Sequence, residues 1–263
     1  MRVCLALLLL ALSGLSQAAI KTQEIPYQSP DGTQLIGYYA YDDAIKGQRP
    51  GVVVVHEWWG LNDYTKRRAR DLAGLGYSAL AIDMYGDGKN TEHPKDAMAF
   101  MQAAVKDSAA SSARFKAGLD LLKKQAQTDP NKVAAIGYCF GGGVVLNAAR
   151  QGVPLAGVVS FHGALATQTP ATPGSVKAKI LVEHGALDSM VTADNVAAFK
   201  AEMDKAGADY KFVSLEGAKH GFSNPDADRL SHGDHGGPDI GYNKAADEKS
   251  WADMQAFFKK IFG

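Results

Sequence analysis

Gly137-Tyr138-Cys139-Phe140-Gly141 constrains this chain more than any other stretch, because it stands between an apolar run, Val133 to Ile136, and a small-residue helical pattern, Gly142 to Arg150. Glycines two residues either side of a central residue let a strand turn sharply into a helix and leave that side chain alone at the turn. The segment therefore predicts a nucleophile elbow at the carboxyl end of a buried strand. Cysteine suits that place. A thiolate is intrinsically nucleophilic, and the helix N-terminus behind it offers N–H groups and positive potential to an anion.

The rest of the chain supplies a scaffold of the matching kind. Short apolar or β-branched runs alternate with longer helical patterns, the signal of a mainly parallel sheet covered by helices on both faces. Glu24 to Tyr27 and Thr33 to Tyr41, joined by Ser29-Pro30-Asp31-Gly32, read as an antiparallel hairpin at one sheet edge. Gly51 to His56, Ser78 to Asp83, Val133 to Tyr138, Gly157 to Phe161, Ile180 to His184 and Tyr210 to Leu215 read as the following strands, about eight in all. Helices are expected at Tyr64 to Gly74, Pro94 to Val105, Ser111 to Ala126, Thr192 to Ala206 and Lys244 to Ile261. Residues 223 to 243, polar and without period, read as a long loop.

Met1 to Ala18 has one basic residue, a continuous apolar stretch from Val3 to Leu12 and small residues at its end, which is the pattern of a secretory signal peptide. The apolar run is too short to span a bilayer, so no stable membrane anchor is expected. Removal of the leader takes Cys4 with it and leaves about 245 residues, enough for one α/β domain over residues 19 to 263. Cys139 is then the single cysteine of an exported, periplasmic or secreted protein. An unpaired thiol in an oxidising compartment is unusual and points to reactivity.

Lysine plus arginine total 28 and aspartate plus glutamate total 28, and no basic stripe is visible, so nothing in the charge pattern asks for nucleic acid. A small molecule is the expected partner. The glycine cluster lacks the G-x-G-x-x-G spacing of a dinucleotide loop, and Tyr138, Cys139 and Phe140 would crowd a phosphate. His232, Asp234, His235 and Asp239 match no firm metal-ligand spacing, so no metal and no cofactor are expected.

A nucleophile on an elbow needs a base to take its proton and an acid to orient that base, and on a sheet of this kind they follow in the order nucleophile, acid, histidine. Cys139, Asp188 and His220 have that order. Asp188 follows the strand ending at His184, and His220 follows the last strand in a flexible Gly-rich loop. His184 and His162, nearer strand ends, read as pocket wall or core. Glu57, after the strand ending at His56, is a fourth polar group near the elbow. The backbone N–H groups of Phe140 and Trp58 are placed to form an oxyanion hole. Trp59, Tyr85, Phe161 and Phe222 are the expected apolar wall of a substrate pocket.

Together, Val52 to Gly60, Ala81 to Tyr85, Ile136 to Gly142, His184 to Asp188, His220 to Phe222, Tyr242-Asn243 and Ser250-Trp251 resemble the dienelactone hydrolase family of α/β-hydrolases, and more closely its exported branch. The resemblance implies an α/β-hydrolase fold, a Cys139-His220-Asp188 triad acting on carboxylic esters or lactones through an acyl-cysteine, and a glutamate, Glu57, that keeps the resting thiol neutral. One departure bears on substrate. The family's carboxylate-binding arginines have no counterpart in Asp83-Met84-Tyr85-Gly86-Asp87-Gly88 or in His220-Gly221-Phe222-Ser223-Asn224, which weakens the expectation of an anionic lactone. Two other readings of the same residues stay open: a non-catalytic exported binding protein on a hydrolase scaffold, and a redox sensor built on the lone thiol.

Overall fold

A computed structural model describes residues 20–231 and 238–263. The expected leader with Cys4, and His232, Asp234 and His235, lie outside the described residues. The chain runs β1 (Ile20–Gln28), β2 (Gln34–Asp42), β3 (Arg49–Val55), α1 (Asp63–Gly74), β4 (Ser78–Ile82), α2 (Pro94–Lys106), α3 (Ser108–Lys123) and β5 (Thr128–Tyr138). It continues through α4 (Phe140–Arg150), β6 (Gly157–Phe161), β7 (Lys179–Gly185), α5 (Ala193–Ala206), β8 (Tyr210–Leu215), α6 (Ala227–Ser231) and α7 (Lys244–Phe262).

The strands form one eight-stranded sheet in the order β1-β2-β4-β3-β5-β6-β7-β8. β1 pairs antiparallel with β2, and β2 antiparallel with β4; from β4 to β8 every pairing is parallel. The hairpin therefore lies at one edge, as its turn residues predict. Val52, Val53, Val54 and Val55 of β3 are all fully buried. Burial of each valine is worth about 1.5–3 kcal/mol, which requires cover on both faces and places β3 in the middle of the sheet.

Alternation along the strands divides that cover into two cores. Val53, Val55, Ala135, Val158, Ile180 and Val182 face a layer that includes Phe115 and Leu119 of α3, Val145 of α4 and Phe199 of α5. Val52, Val54, Ala134, Ile136, Val159 and Leu181 face Leu72 of α1 and Met254 and Phe258 of α7. The elbow helix α4 thus sits on the α3 side.

Several boundaries differ from the sequence expectation, among them β1, which begins at Ile20, and three further differences have a local reason. β5 begins at Thr128 because Thr128 and Asp129 pair with Arg49 and Pro50; the register then jumps, Gly51 pairing with Val133, so Pro130, Asn131 and Lys132 form an irregularity inside the strand rather than a loop before it. α3 begins at Ser108 because the Asp107 carboxylate accepts the Ala110 N–H at 2.9 Å and caps it. Residues 223 to 243 are not wholly loop, since they contain α6. Among the described residues no helix is long and apolar enough to cross a membrane.

At the elbow, backbone from three elements meets. A Cβ on Gly137 would stand 2.0 Å from the Gly141 carbonyl oxygen, one on Gly141 2.4 Å from that of Val55, and one on Gly142 2.6 Å from Ser160 Oγ. Gly141→Ala should therefore be severely destabilising, by several kcal/mol, because the atom it would displace is backbone. Gly74→Ala is the control: that position closes α1 with nothing within 4 Å of the added Cβ, and the change should be neutral or stabilising by about 0.5–1 kcal/mol. Thermal unfolding of the two variants checks both, and equal melting temperatures would refute the contrast.

Candidate active site

Cys139 lies between β5 and α4 with φ 53°, in the left-handed region where a non-glycine residue costs about 1–3 kcal/mol. Its backbone is held there from both sides. The Cys139 N–H donates to Phe161 O at 3.0 Å, and Cys139 O accepts from Gly142 N at 3.0 Å and Ala164 N at 3.3 Å. Gly141 N–H donates to His56 O at 3.1 Å, which ties the elbow to the end of β3. The thiol itself is half-buried.

Loops after β7 and β8 bring the other two expected groups together. A Cβ at Gly185 would come within 2.5 Å of Ala218 O, so only glycine allows the loop bearing Asp188 to lie against the loop bearing His220. Asp188 Oδ1 accepts the N–H groups of Met190 and Val191, and its Oδ2 stands 2.8 Å from His220 Nδ1. Burial would raise the Asp188 carboxyl, but the His220 hydrogen bond and those two N–H groups hold it below the usual carboxylate range.

His220 Nε2 is buried without a hydrogen-bond partner among the described residues, and the Cys139 thiol is near enough to act on the imidazole. Burial pulls the imidazolium down, yet charge on Cys139 and the Asp188 contact outweigh it and carry His220 up to about 10. The N–H groups of Phe140 and Trp58 donate no hydrogen bond among the described residues.

Glu57 is buried, and its Oε2 accepts from Asn224 Nδ2 at 2.7 Å. Among the described residues no hydrogen bond joins it to Cys139. Burial pushes the carboxyl up to about 7, opposed by the Asn224 hydrogen bond and the positive fields of His220 and Arg68. Asn224 escaped the sequence analysis, although a Ser-Asn pair just after His220-Gly221-Phe222 in a buried loop was its available signal.

The histidines next to the site are neutral structural groups. His56 donates from Nδ1 to Glu57 O and accepts the Met84 N–H on Nε2, linking the ends of β3 and β4, and burial lowers its pKa. Burial and the neighbouring His220 push His162 well below the usual histidine value; its ring lies edge-on to His220 with centroids 5.2 Å apart. His162 Nε2 is 2.8 Å from Ser223 Oγ, which is 2.7 Å from the Tyr64 hydroxyl. Arg68 completes this network, donating to Ser223 O at 2.8 Å and pairing with Asp247. An arginine on the otherwise buried face of α1, with Thr65 and Leu72, was the sequence signal for it.

The four residues expected as a pocket wall are all buried. Tyr85 lies against His56 and Phe140, with centroids 4.6 and 5.5 Å away, and its hydroxyl donates to Trp58 O at 3.0 Å. Trp59 is buried with its ring 4.8 Å from that of Trp58. Phe161 and Phe222 are corrected to core. Phe161 ends β6 on the α1 and α7 face, stacked on Tyr138 at 4.8 Å, and Phe222 turns inward onto His162 at 5.0 Å. The loop after β4 is shaped by Asp83, whose oxygens accept the N–H groups of Tyr85, Gly86 and Gly88, each at 2.8 Å. Asp239 is engaged by Lys219 and Ser189, and among the described residues no cluster of His, Cys, Asp and Glu is arranged to hold a metal ion.

The model of the dienelactone hydrolase family matches residues 35–262, and the chain belongs to that family. Protein usf of Aquifex pyrophilus is 30% identical over 235 residues, covering 88% of this chain and 95% of that protein. The crystal structure of a dienelactone hydrolase-like promiscuous phosphotriesterase from metagenomic libraries is 37% identical with a TM-score of 0.84, covering 93% of this chain and 100% of that one. A dienelactone hydrolase from Anabaena variabilis shares the fold at 19% identity and a TM-score of 0.60, covering 90% of this chain and 98% of that one. Family and neighbours support a hydrolase function.

The raised Glu57 carboxyl predicts a pH-dependent stability. Unfolded, the group ionises near 4.5; folded, near 7. Between these values the folded state holds more protons, so stability falls as pH rises and the cost, on the order of 3 kcal/mol, is fully present above 7. Glu57→Gln should remove that fall. Urea unfolding at pH 5 and pH 8 measures it, and parallel pH dependences in parent and variant would contradict it.

Proposed function

We propose that this protein hydrolyses carboxylic esters or lactones, with Cys139 as nucleophile. The observation that carries the reading is the run Asp188 Oδ2 to His220 Nδ1 at 2.8 Å, with His220 Nε2 beside a thiol held on a left-handed elbow. His220 takes the Cys139 proton on Nε2 as the sulfur attacks the carbonyl carbon, and the resulting oxyanion is received by the N–H groups of Phe140 and Trp58. Collapse expels the alkoxide, which takes the proton from His220 Nε2 and leaves an acyl-cysteine. His220, now neutral, takes a proton from water as that water attacks the thioester; the sulfur departs, takes that proton back from His220, and the carboxylic acid is released.

Asp188 orients His220 and supports its positive charge throughout. Glu57, with its proton affinity raised by burial, is the acid–base partner that keeps the resting thiol quiet, and a thiol so held is less open to oxidation. We place the mature protein outside the cytoplasm, on the strength of the leader pattern in Met1 to Ala18.

A second substrate class is favoured by one observation, the 37% identity to a dienelactone hydrolase-like promiscuous phosphotriesterase. An aryl phosphotriester would be attacked at phosphorus by the same sulfur, with aryloxide leaving.

Cys139→Ala should reduce turnover of p-nitrophenyl acetate by at least about 10³-fold while the circular dichroism and melting temperature stay near those of the parent. Rapid acid quench of the parent with that ester should leave an acetyl group on the Cys139 peptide in a mass spectrum. Activity that survives Cys139→Ala overturns the proposal. Glu57→Gln should shift the pH profile of iodoacetamide labelling at Cys139, and an unshifted profile removes the role given to Glu57.

A further inference from the structure

A narrow cleft leads away from the elbow along α4. Phe140, Gly143, Val144 and Ala148 recur at helical spacing and form one wall. Met101 and Val105 from the end of α2, Phe115 of α3, and Ala164 and Ala166 beyond β6 stand opposite. The space between them holds about 190 Å³. A hydrogen bond of 2.6 Å between Ser112 and Gln151 lies at its far end.

Three features give this cleft an occupant. Its near end is the nucleophile's own surroundings: Phe140 follows Cys139, and the Ala164 N–H donates to Cys139 O at 3.3 Å. None of the residues lining it carries a charge. Val105, at the mouth, leaves its apolar side chain 54% exposed, a surface that a hydrocarbon would cover. The volume falls below the roughly 300–1,000 Å³ of a pocket for a whole ligand, so one limb of a substrate fits rather than all of it.

We propose that this cleft is an acyl subsite that takes the unbranched alkyl chain of an uncharged ester and sets chain-length specificity. The inference rests on the reading of Cys139 as the acylated nucleophile. The acyl limb is the one that stays attached to Cys139 through both half-reactions, so a cleft that begins at Phe140, the next residue, acts on each of them. It also agrees with the missing arginines after Tyr85 and His220: a substrate limb in the cleft meets no charged group, and Phe140, Val144 and Ala148 give it apolar contact along α4.

The test is a series of p-nitrophenyl esters from acetate to octanoate with the full-length mature protein. kcat/KM should rise about fourfold per added methylene over the first few carbons, then fall once the chain outgrows the cleft. Ala148→Phe and, on the exposed loop, Ala166→Trp fill the cleft and should lower the hexanoate-to-acetate ratio at least tenfold. That ratio is read within one protein, so a misfolded fraction cancels. A second arm needs no turnover: N-ethyl, N-butyl and N-hexyl maleimide should label Cys139 at rates that increase with chain length, and Ala166→Trp should level them. Flat dependence in both arms, or unchanged ratios in both variants, overturns the subsite. A dependence on the alcohol limb alone overturns it as an acyl site. Length-dependent labelling without hydrolysis of any ester overturns the function proposed for Cys139 and leaves the cleft standing.

Discussion

The close approach of backbone to backbone at the elbow is the constraint on which the other features of the site depend. Cys139 can hold φ 53° only because Phe161 O and His56 O receive N–H groups of Cys139 and Gly141, and because Gly137, Gly141 and Gly142 present no Cβ to the chain they touch. The same contact decides where α4 begins, and therefore where its unpartnered N–H groups lie. It also orients the α4 face that runs from Phe140 to Gln151. The placement of the thiol, the candidate oxyanion donors and the cleft along α4 are consequences of one turn.

Around that turn, charge is arranged by burial. Asp188 is kept ionised by three donors, whereas Glu57, with one direct donor, is pushed up to about 7. Two carboxyl groups near His220 therefore differ in proton affinity because burial raises Glu57 against one direct donor, whereas three donors outweigh it at Asp188. His56 and His162, both fully buried, stay neutral and serve as spacers: one joins β3 to β4, the other stands between His220 and the polar network of Ser223, Tyr64 and Arg68. That network holds the backbone of Ser223, next to Asn224, so α1 on the far side of the sheet steadies the loop that carries both His220 and the Glu57 partner.

Much of the framework is legible in the chain because the patterns behind it are local. Four successive buried valines announce a central strand, Ser-Pro-Asp-Gly announces the hairpin, and a Thr192 cap followed by Gly207 brackets α5. Where sequence reading went astray, a contact from elsewhere in the chain decided the matter. Thr128 and Asp129 belong to β5 because Arg49 and Pro50 pair with them. Phe161 and Phe222 are apolar and close in sequence to site residues, yet strand alternation and the inward turn of the His220 loop send them into the core beneath α1 and α7.

The order of Cys139, Asp188 and His220, the glycines around the thiol and the absence of arginines after Tyr85 and His220 are properties of the sequence alone, since each follows from residue type and spacing. Only the tertiary structure decided that Asp188 reaches His220, that Glu57 is held by Asn224, and that an uncharged cleft extends from Phe140 along α4. These depend on contacts between segments up to 167 residues apart, and no local pattern encodes a distance across a fold. For the elbow the two levels meet: the glycines make the turn possible, and the neighbouring strands supply the carbonyl groups that hold it.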